Sequence, residues 1–174
     1  MKVLLLNGSP RKNGCTYTAL NVVADALKAE GIDAEVFQAG DPDMENVKAA
    51  AAKLKDSDAL VVGSPVYWAS PSGQIIEFMD RLASVAGKDM LYKPAAAVAS
   101  ARRAGTTATL DVLTKYFSYH QMPVVSSCYW NMVHGNTPEE VMKDEEGVQI
   151  MRVLGKNMAW LLKCIEAGKK NGVA

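Results

Sequence analysis

The chain has 174 residues, with 19 Lys plus Arg and 19 Asp plus Glu, so its formal net charge is zero. This is the length of one domain over residues 1–174, and the balanced charge gives no field that favours nucleic acid or an anionic membrane. No apolar run approaches the ~20 residues of a membrane span, and the N-terminus lacks a signal-peptide pattern. The three cysteines share no metal-ligand spacing, so we expect a cytoplasmic protein with reduced thiols and no metal site.

The first predicted strand, residues 3–6, leads through a polar turn at 7–14 into a helix that begins near Cys15. A helix N-terminus offers unpaired backbone N–H groups and the positive end of the helix dipole, which together bind anions. Ser9 and Thr16 add hydroxyl donors, and Arg11 adds a charge. The pattern predicts a phosphate site, and the alternative is an ordinary strand-to-helix turn.

Two nucleotide-binding patterns are excluded at this loop. A Walker A loop has Lys and then Ser or Thr after its last glycine, whereas Gly14 is followed by Cys15 and Thr16. The dinucleotide fingerprint needs three glycines, and only Gly8 and Gly14 are present here. The pattern therefore favours a mononucleotide or flavin phosphate as the ligand.

Apolar runs and amphipathic helical segments alternate along the rest of the chain. Further strands are predicted at 33–37, 59–63, 94–100 and 122–125. Helices are predicted at 15–30, 45–54, from Ser70-Pro71 onward, at 109–119, and from 138 to about 167. Strands alternating with helices predict a doubly wound α/β sheet of five parallel strands, because parallel strands need helical crossovers. Ligands of such sheets bind at the carboxyl ends of strands, where the loops 7–16, 64–73 and 100–107 are expected to meet.

The loop at 64–73 places two large aromatic residues, Tyr67 and Trp68, where we expect solvent. They are suited to cover a flat ligand, and a ring about one flavin length from the phosphate loop would be an isoalloxazine. The alternative is that Tyr67 and Trp68 anchor the loop to the core or to a subunit interface.

Three segments in combination carry a family resemblance. They read N-G-S-P-R-K-N-G at 7–14, S-P-V-Y-W at 64–68, and G-Q at 73–74 with F-M-D-R-L at 78–82. Together they resemble the flavodoxin-fold, NAD(P)H-dependent FMN reductase family, in particular its iron–sulfur flavoprotein branch. The resemblance covers almost the whole chain.

The resemblance implies a flavodoxin-like fold, with a five-stranded parallel sheet in the order 2-1-3-4-5 and helices on both faces. It also implies FMN as cofactor and NAD(P)H, for instance NADPH, as co-substrate. The implied cofactor-binding residues are Ser9, Arg11, Asn13, Gly14, Cys15 and Thr16 at the phosphate, Pro65, Val66, Tyr67 and Trp68 at the ring, and Ser100, Ala101, Arg102, Arg103 and Gly105 beside the pyrimidine edge.

The chain departs from the family pattern at two places. Position 15 is usually Asn in the family and is Cys here. The iron–sulfur branch carries a cysteine cluster before the Asp-Met of its second helix, whereas residues 40–44 contain no cysteine. Because an iron–sulfur cluster needs thiolate ligands, we expect none in this protein.

Several residues have alternative interpretations. Cys15 opens a helix, as the nucleophile of low-molecular-weight tyrosine phosphatases does, but the arginine that those enzymes need six positions later is Asn21. His134 lies in the loop after the fifth predicted strand and is interpreted either as a neighbour of the flavin edge or as a surface or interface residue. Arg102 and Arg103 are interpreted as a solvated pair, as a partner of the reduced flavin, or as a clamp for a pyridine nucleotide phosphate.

We therefore expect an oxidoreductase that passes electrons from NAD(P)H to a small-molecule acceptor such as a quinone, free flavin or nitroaromatic. The chemistry occurs at flavin N5, so no protein residue is expected to be catalytic. The alternative is a flavodoxin-type electron carrier that serves a protein partner, although such carriers tend to be acidic. Apolar residues at 67–68, 90–92 and 128–132 indicate a homodimer or a homotetramer with shared active sites.

Overall fold

The computed structural model describes residues 1–173. Its strands are β1 (Lys2–Asn7), β2 (Asp33–Gln38), β3 (Ala59–Tyr67), β4 (Ser70–Pro71), β5 (Ala95–Ala101) and β6 (Met132–His134). Its helices are α1 (Cys15–Ala29), α2 (Met44–Lys55), α3 (Gly73–Ala86), α4 (Thr106–Tyr119), α5 (Pro138–Lys143) and α6 (Glu145–Lys170), with a short 3₁₀ turn at Gly87–Met90.

Five parallel strands form one sheet in the order β2-β1-β3-β5-β6, and β4 pairs only with β3. In chain order this is the predicted arrangement 2-1-3-4-5, so the fold prediction is confirmed. The sheet is buried on both faces because residues 3–6 of β1 and 59–62 of β3 are apolar. Leu5 packs with α1 and α6 on one face, and Leu4 packs with α2, α3 and α4 on the other. These two layers fix the carboxyl edge of the sheet, where the predicted site lies.

The segment after β3 differs from its prediction as a loop that enters a helix at Ser70-Pro71. Strand β3 continues to Tyr67, and β4 turns back to pair with it, Val66 opposite Pro71 and Tyr67 opposite Ser70. Helix α3 begins at Gly73, and its N-cap is Ser72, whose side chain accepts a hydrogen bond from the Ile75 N–H at 3.3 Å. The hairpin therefore uses the two residues that the sequence assigned to the helix start.

The fifth strand was predicted at 122–125, and this prediction is wrong. Val124 forms only an isolated bridge with Ala95, while β6 pairs with the end of β5. Between them the chain leaves the sheet for α6, where the Ser127 hydroxyl donates to the Ile150 carbonyl at 2.6 Å and Asn157 Nδ2 donates to the Ser126 carbonyl at 2.8 Å. Because these contacts with α6 draw the chain away from the sheet, pairing with β5 resumes only at 132–134.

Two helix boundaries also differ from the predictions. Helix α4 begins at Thr106 instead of residue 109. The last predicted helix is divided at Asp144, which caps α6 by accepting a hydrogen bond from the Gly147 N–H at 3.0 Å. Among the helices of residues 1–173, none is both long and apolar enough to cross a membrane.

Candidate functional site

The first predicted loop joins the end of β1 to the N-terminus of α1. Gly14 is the N-cap of α1, and no side chain caps this helix end. The first hydrogen bond of the helix runs from the Thr18 N–H to the Gly14 carbonyl at 3.0 Å. The preceding N–H groups, at 15–17, thus have no acceptor within the helix. Such a turn is suited to bind an anion.

The predicted phosphate residues differ in their exposure. Ser9 and Thr16 are buried, while Arg11 and Asn13 are exposed. The Ser9 hydroxyl accepts a hydrogen bond from the Arg11 N–H at 3.1 Å, which folds the loop on itself. The Thr16 hydroxyl lies 2.7 Å from the Ser100 hydroxyl and shares a hydrogen bond with it. The fold therefore joins a residue predicted at the phosphate to one predicted at the pyrimidine edge.

Cys15 lies half-buried at the start of α1, with its Sγ 3.6 Å from the Gly135 carbonyl oxygen. Burial raises the pKa of the Cys15 thiol above its ordinary value. A raised pKa keeps the sulfur protonated near neutral pH, whereas a nucleophilic cysteine needs a thiolate. The environment of Cys15 therefore disfavours the phosphatase interpretation.

The second predicted loop is a β-hairpin with a two-residue turn, Trp68-Ala69. Both residues are left-handed, with φ of 54° at Trp68 and 56° at Ala69, which is the geometry of a type I′ turn. The turn is strained because a left-handed conformation costs a non-glycine residue about 1–2 kcal/mol. Trp68 has a relative exposure of 101% and Tyr67 of 40%, so neither anchors the hairpin in the core. Strained backbone that presents exposed aromatic rings is typical of a binding site.

The third predicted loop packs under this hairpin. Gly105 has φ of 104°, and a Cβ atom there would lie 2.8 Å from Ala69 Cα and 2.9 Å from Val66 Cγ1. Glycine is required at this position by both the conformation and the contact. Arg102 and Arg103 precede it and are exposed at the carboxyl end of β5. The second and third loops thus form one continuous wall of the site.

Polar side chains that the sequence did not single out hold the first loop from outside. Gln38, at the end of β2, donates from Nε2 to the Ser9 carbonyl at 2.6 Å. The Ser72 hydroxyl donates to the Gly8 carbonyl at 2.8 Å. Gly40 lies so close that a Cβ atom would be 2.0 Å from the Ser9 carbonyl oxygen. The sequence does carry a signal for Gln38: it is a polar residue at the end of β2, directly opposite Asn7 at the end of β1.

The histidines occupy separate places. His134 ends β6 at the carboxyl edge, where its backbone N–H donates to Asp144 Oδ2 at 2.7 Å. His120 caps the far end of α4, with Nδ1 2.8 Å from the Tyr116 carbonyl. Within residues 1–173, no three His, Cys, Asp or Glu side chains are grouped so that they could hold a metal ion.

An open groove of about 700 Å³ lies elsewhere, between α3 and α4. Its lining includes Asp80, Tyr116, Tyr119 and His120 and contains none of the predicted site residues. The groove runs along the C-terminal halves of these helices, whereas the three loops meet at the helix N-termini. We therefore assign the candidate site to the loops and not to this groove.

Known proteins resemble this chain in sequence and in fold. The family described as NADPH-dependent FMN reductase matches residues 1–137. An iron–sulfur flavoprotein of Methanocaldococcus jannaschii is 29% identical over 95% of this chain and 100% of its own length. An NADPH azoreductase of a Bacillus species is 30% identical over 58% of this chain and 59% of its own length. An archaeal flavodoxin structure superposes with a TM-score of 0.72 at 18% identity, over 94% of this chain and 99% of the flavodoxin, which shows the shared fold.

Proposed function

The chain belongs to the NADPH-dependent FMN reductase family, and on that premise we propose that it reduces a small aromatic or quinonoid molecule at the expense of NAD(P)H. The family establishes a flavin-dependent NAD(P)H oxidoreductase with FMN as cofactor. The proposal adds the acceptor class and the residues of the site. In the overall reaction NAD(P)H loses a hydride, which supplies two electrons and one proton to the acceptor, and the acceptor takes its second proton from solvent.

The described residues fit FMN. A phosphate needs several N–H donors that have no other acceptor, and the uncapped first turn of α1 supplies them at 15–17. We assign the phosphate to this turn, with Ser9 and Thr16 as its buried walls and Arg11 as an exposed charge. The position of Cys15 at the helix start allows its backbone N–H to contribute although its side chain bonds elsewhere.

We assign the flavin ring to the wall formed by the hairpin and the third loop. The single observation that carries the proposal is the strained turn at Trp68 and Ala69, which holds unpaired aromatic surface beside an anion site. When bound there, FMN supplies the hydride chemistry at its N5. The chain's residues then position the ring, and Arg102 and Arg103 contribute positive charge at the end of β5.

The named relative is an iron–sulfur flavoprotein, but the described residues do not fit a cluster. Clusters are held by four thiolates, with histidines replacing some in certain classes. This chain has three cysteines in all, at positions 15, 128 and 164, and none in the segment 40–44. No step of the proposed reaction involves a cluster.

The acceptor is proposed to be a planar quinone, free flavin, nitroaromatic or azo compound. A ring of this kind stacks on exposed aromatic side chains and needs no buried acid or base of its own. Trp68 is the side chain best exposed for such stacking. The relative named as an azoreductase supports the same chemical class.

The experiment is anaerobic reduction of the FMN-loaded protein. We expect NADPH or NADH to bleach the flavin absorbance, and a quinone, nitroaromatic or azo dye to restore it with turnover. A Trp68→Ala variant is loaded at saturating FMN, because Trp68 also lies on the wall assigned to the flavin ring. It should still be bleached by NAD(P)H but show a raised KM for the acceptor. If NAD(P)H leaves the flavin oxidised while a protein donor reduces it, the protein is an electron carrier and the proposal fails.

We also propose that the protein is a homodimer, or a dimer of dimers, with part of each active site shared. Tyr92, with relative exposure of 70%, and Trp130, with 59%, support this proposal together with Trp68. Met90 and Asn131, which the sequence assigned to the same apolar surface, are buried and contribute nothing to it. Large exposed aromatic residues suit a symmetric interface because they bury much apolar area.

Sedimentation velocity of the FMN-loaded protein tests the assembly. We expect a dimer or tetramer at micromolar concentration, with reductase activity per subunit falling as dilution dissociates it. Trp130→Ser should weaken association, whereas Trp160→Ser, on the exposed face of α6, should not. A monomer with full activity at nanomolar concentration would contradict shared sites.

A further inference from the structure

Side chains of Gln38, Ser72 and Asn7 hold carbonyl oxygens of the first loop. The Gly8 carbonyl accepts from Ser72 Oγ at 2.8 Å and the Ser9 carbonyl from Gln38 Nε2 at 2.6 Å. Asn7 Nδ2 lies 3.3 Å from both the Arg11 and the Lys12 carbonyl oxygens. An anion is repelled by carbonyl oxygens and attracted by N–H groups, so a phosphate loop works only if its carbonyls are engaged elsewhere.

Gln38 bonds both to another of these three side chains and to a loop carbonyl. Its Oε1 accepts from Asn7 Nδ2 at 2.8 Å while its Nε2 donates to the Ser9 carbonyl. Asn7 Oδ1 in turn accepts from the Ser9 N–H at 3.2 Å. Three hydrogen bonds thus close a ring through Gln38, Ser9 and Asn7. A side-chain amide can donate and accept at the same time, which neither a carboxylate nor an apolar side chain can do at position 38.

The strand register places Gln38 where this ring can close. Asn7 and Gln38 are paired residues at the last rung between β1 and β2. Asn46 of α2 fixes the backbone of the same residue by donating from Nδ2 to the Gln38 carbonyl at 3.0 Å. Asn7 and Ser9 are buried, so an unpaired group there would be costly. Asn7 and Ser9 therefore orient the Gln38 amide, while Asn46 fixes its backbone.

We propose that Gln38 is a positioning residue that sets the loop 7–14 in the conformation that receives the phosphate of FMN. It acts through Ser9 and Asn7 and does not touch the cofactor. This inference rests on the assignment of FMN to the candidate site. Its consequence is selectivity, because a loop that is displaced loses affinity for the phosphate and not for the flavin ring.

The test compares FMN with riboflavin, which has the ring but no phosphate. Gln38→Met removes both hydrogen bonds at constant length, and Gln38→Glu removes the donor to Ser9 while keeping the acceptor for Asn7. Gln149→Met, at an exposed position of α6, is the control for the chemical change. Dissociation constants are measured by flavin fluorescence at neutral pH, with thermal unfolding as a check of folding.

We expect both Gln38 variants to bind FMN at least about tenfold more weakly, since losing one hydrogen bond to a charged phosphate weakens binding by roughly that factor. Riboflavin affinity should stay within a factor of two, and the control should match the wild type for both ligands. If FMN and riboflavin weaken equally, or if FMN affinity is unchanged, the positioning role is overturned. A wild type that binds neither ligand would overturn the site assignment itself.

Discussion

Gly40→Ala is expected to weaken FMN binding, because the added methyl group would clash with the backbone of the loop 7–14. The added Cβ would lie 2.0 Å from the Ser9 carbonyl oxygen and 2.7 Å from Gln38 Nε2. An ordinary carbon–oxygen contact is about 3.2 Å or longer, so the loop must move by roughly 1.2 Å. Gly40 has an ordinary φ, so this clash, and not backbone strain, decides the outcome. A displacement of that size breaks at least one hydrogen bond to the phosphate, worth about 1.5–3 kcal/mol for a charged acceptor, which predicts roughly 10- to 150-fold weaker binding.

Flavin fluorescence titration measures this effect, and Gly73→Ala is the matched control. Gly73 begins α3 at the same edge of the sheet, but a Cβ atom there meets nothing within 4 Å. The control should bind FMN as the wild type does and gain slightly in stability, because alanine favours the helix. Riboflavin affinity should fall far less than FMN affinity in the Gly40 variant. Binding of FMN within threefold of the wild type would refute the role given to this contact.

Three further outcomes follow from local features. Ala69→Gly should raise the unfolding free energy by about 0.5–1 kcal/mol. The change removes about 1–2 kcal/mol of left-handed strain and adds about 0.5–1 kcal/mol of chain entropy cost. A fall in the melting temperature would contradict this. Cys15 should react with iodoacetamide more slowly than exposed Cys128, and FMN should slow it further, as mass spectrometry of the labelled peptides would reveal. Glu35, whose pKa is lowered by Lys53 at 2.6 Å and a second lysine, contributes stability above the ordinary pKa of 4.5 that is lost as the pH falls through its lowered value. Glu35→Gln should therefore cost up to about 1 kcal/mol near pH 7 and progressively less as the pH falls from 4.5 through the lowered pKa of Glu35. A loss in urea unfolding that does not shrink as the pH falls would argue against the ion pairs.

The parallel core could be predicted because its signals are local. Residues 3–6 of β1 form a continuous apolar run. Gly31, with φ of 77°, directly follows the C-cap residue of α1 and ends this helix in the left-handed conformation that favours glycine. The hairpin could not be predicted, because its turn residues are Trp68 and Ala69, whereas left-handed turns are normally indicated by Gly or Asn. Trp68 and Ala69 are unusual turn residues, so the turn escapes prediction, and the same left-handed conformation presents the aromatic surface.

The other features that sequence analysis missed depend on contacts between residues that are distant in sequence. The choice between 122–125 and Met132–His134 as the edge strand depends on how the intervening segment packs on α6. Gln38 and Ser9 are 29 positions apart, and nothing in either local pattern indicates that one holds the other. The residues proposed to face a ligand could be inferred from loop composition and family resemblance. The residues that support them could be identified only from the three-dimensional structure.

The shortness of β6 has a consequence for the protein in concentrated solution. An exposed sheet edge is a template on which a strand of another molecule can add, and this leads to aggregation. Here one edge strand has three residues, Met132–His134, and its other half survives only as a bridge at Val124. At the opposite edge, Glu35 of β2 is covered by ion pairs with Lys2 and Lys53. Neither edge offers a long apolar strand for addition, so we expect copies of this chain to meet through side chains and to resist cross-β aggregation.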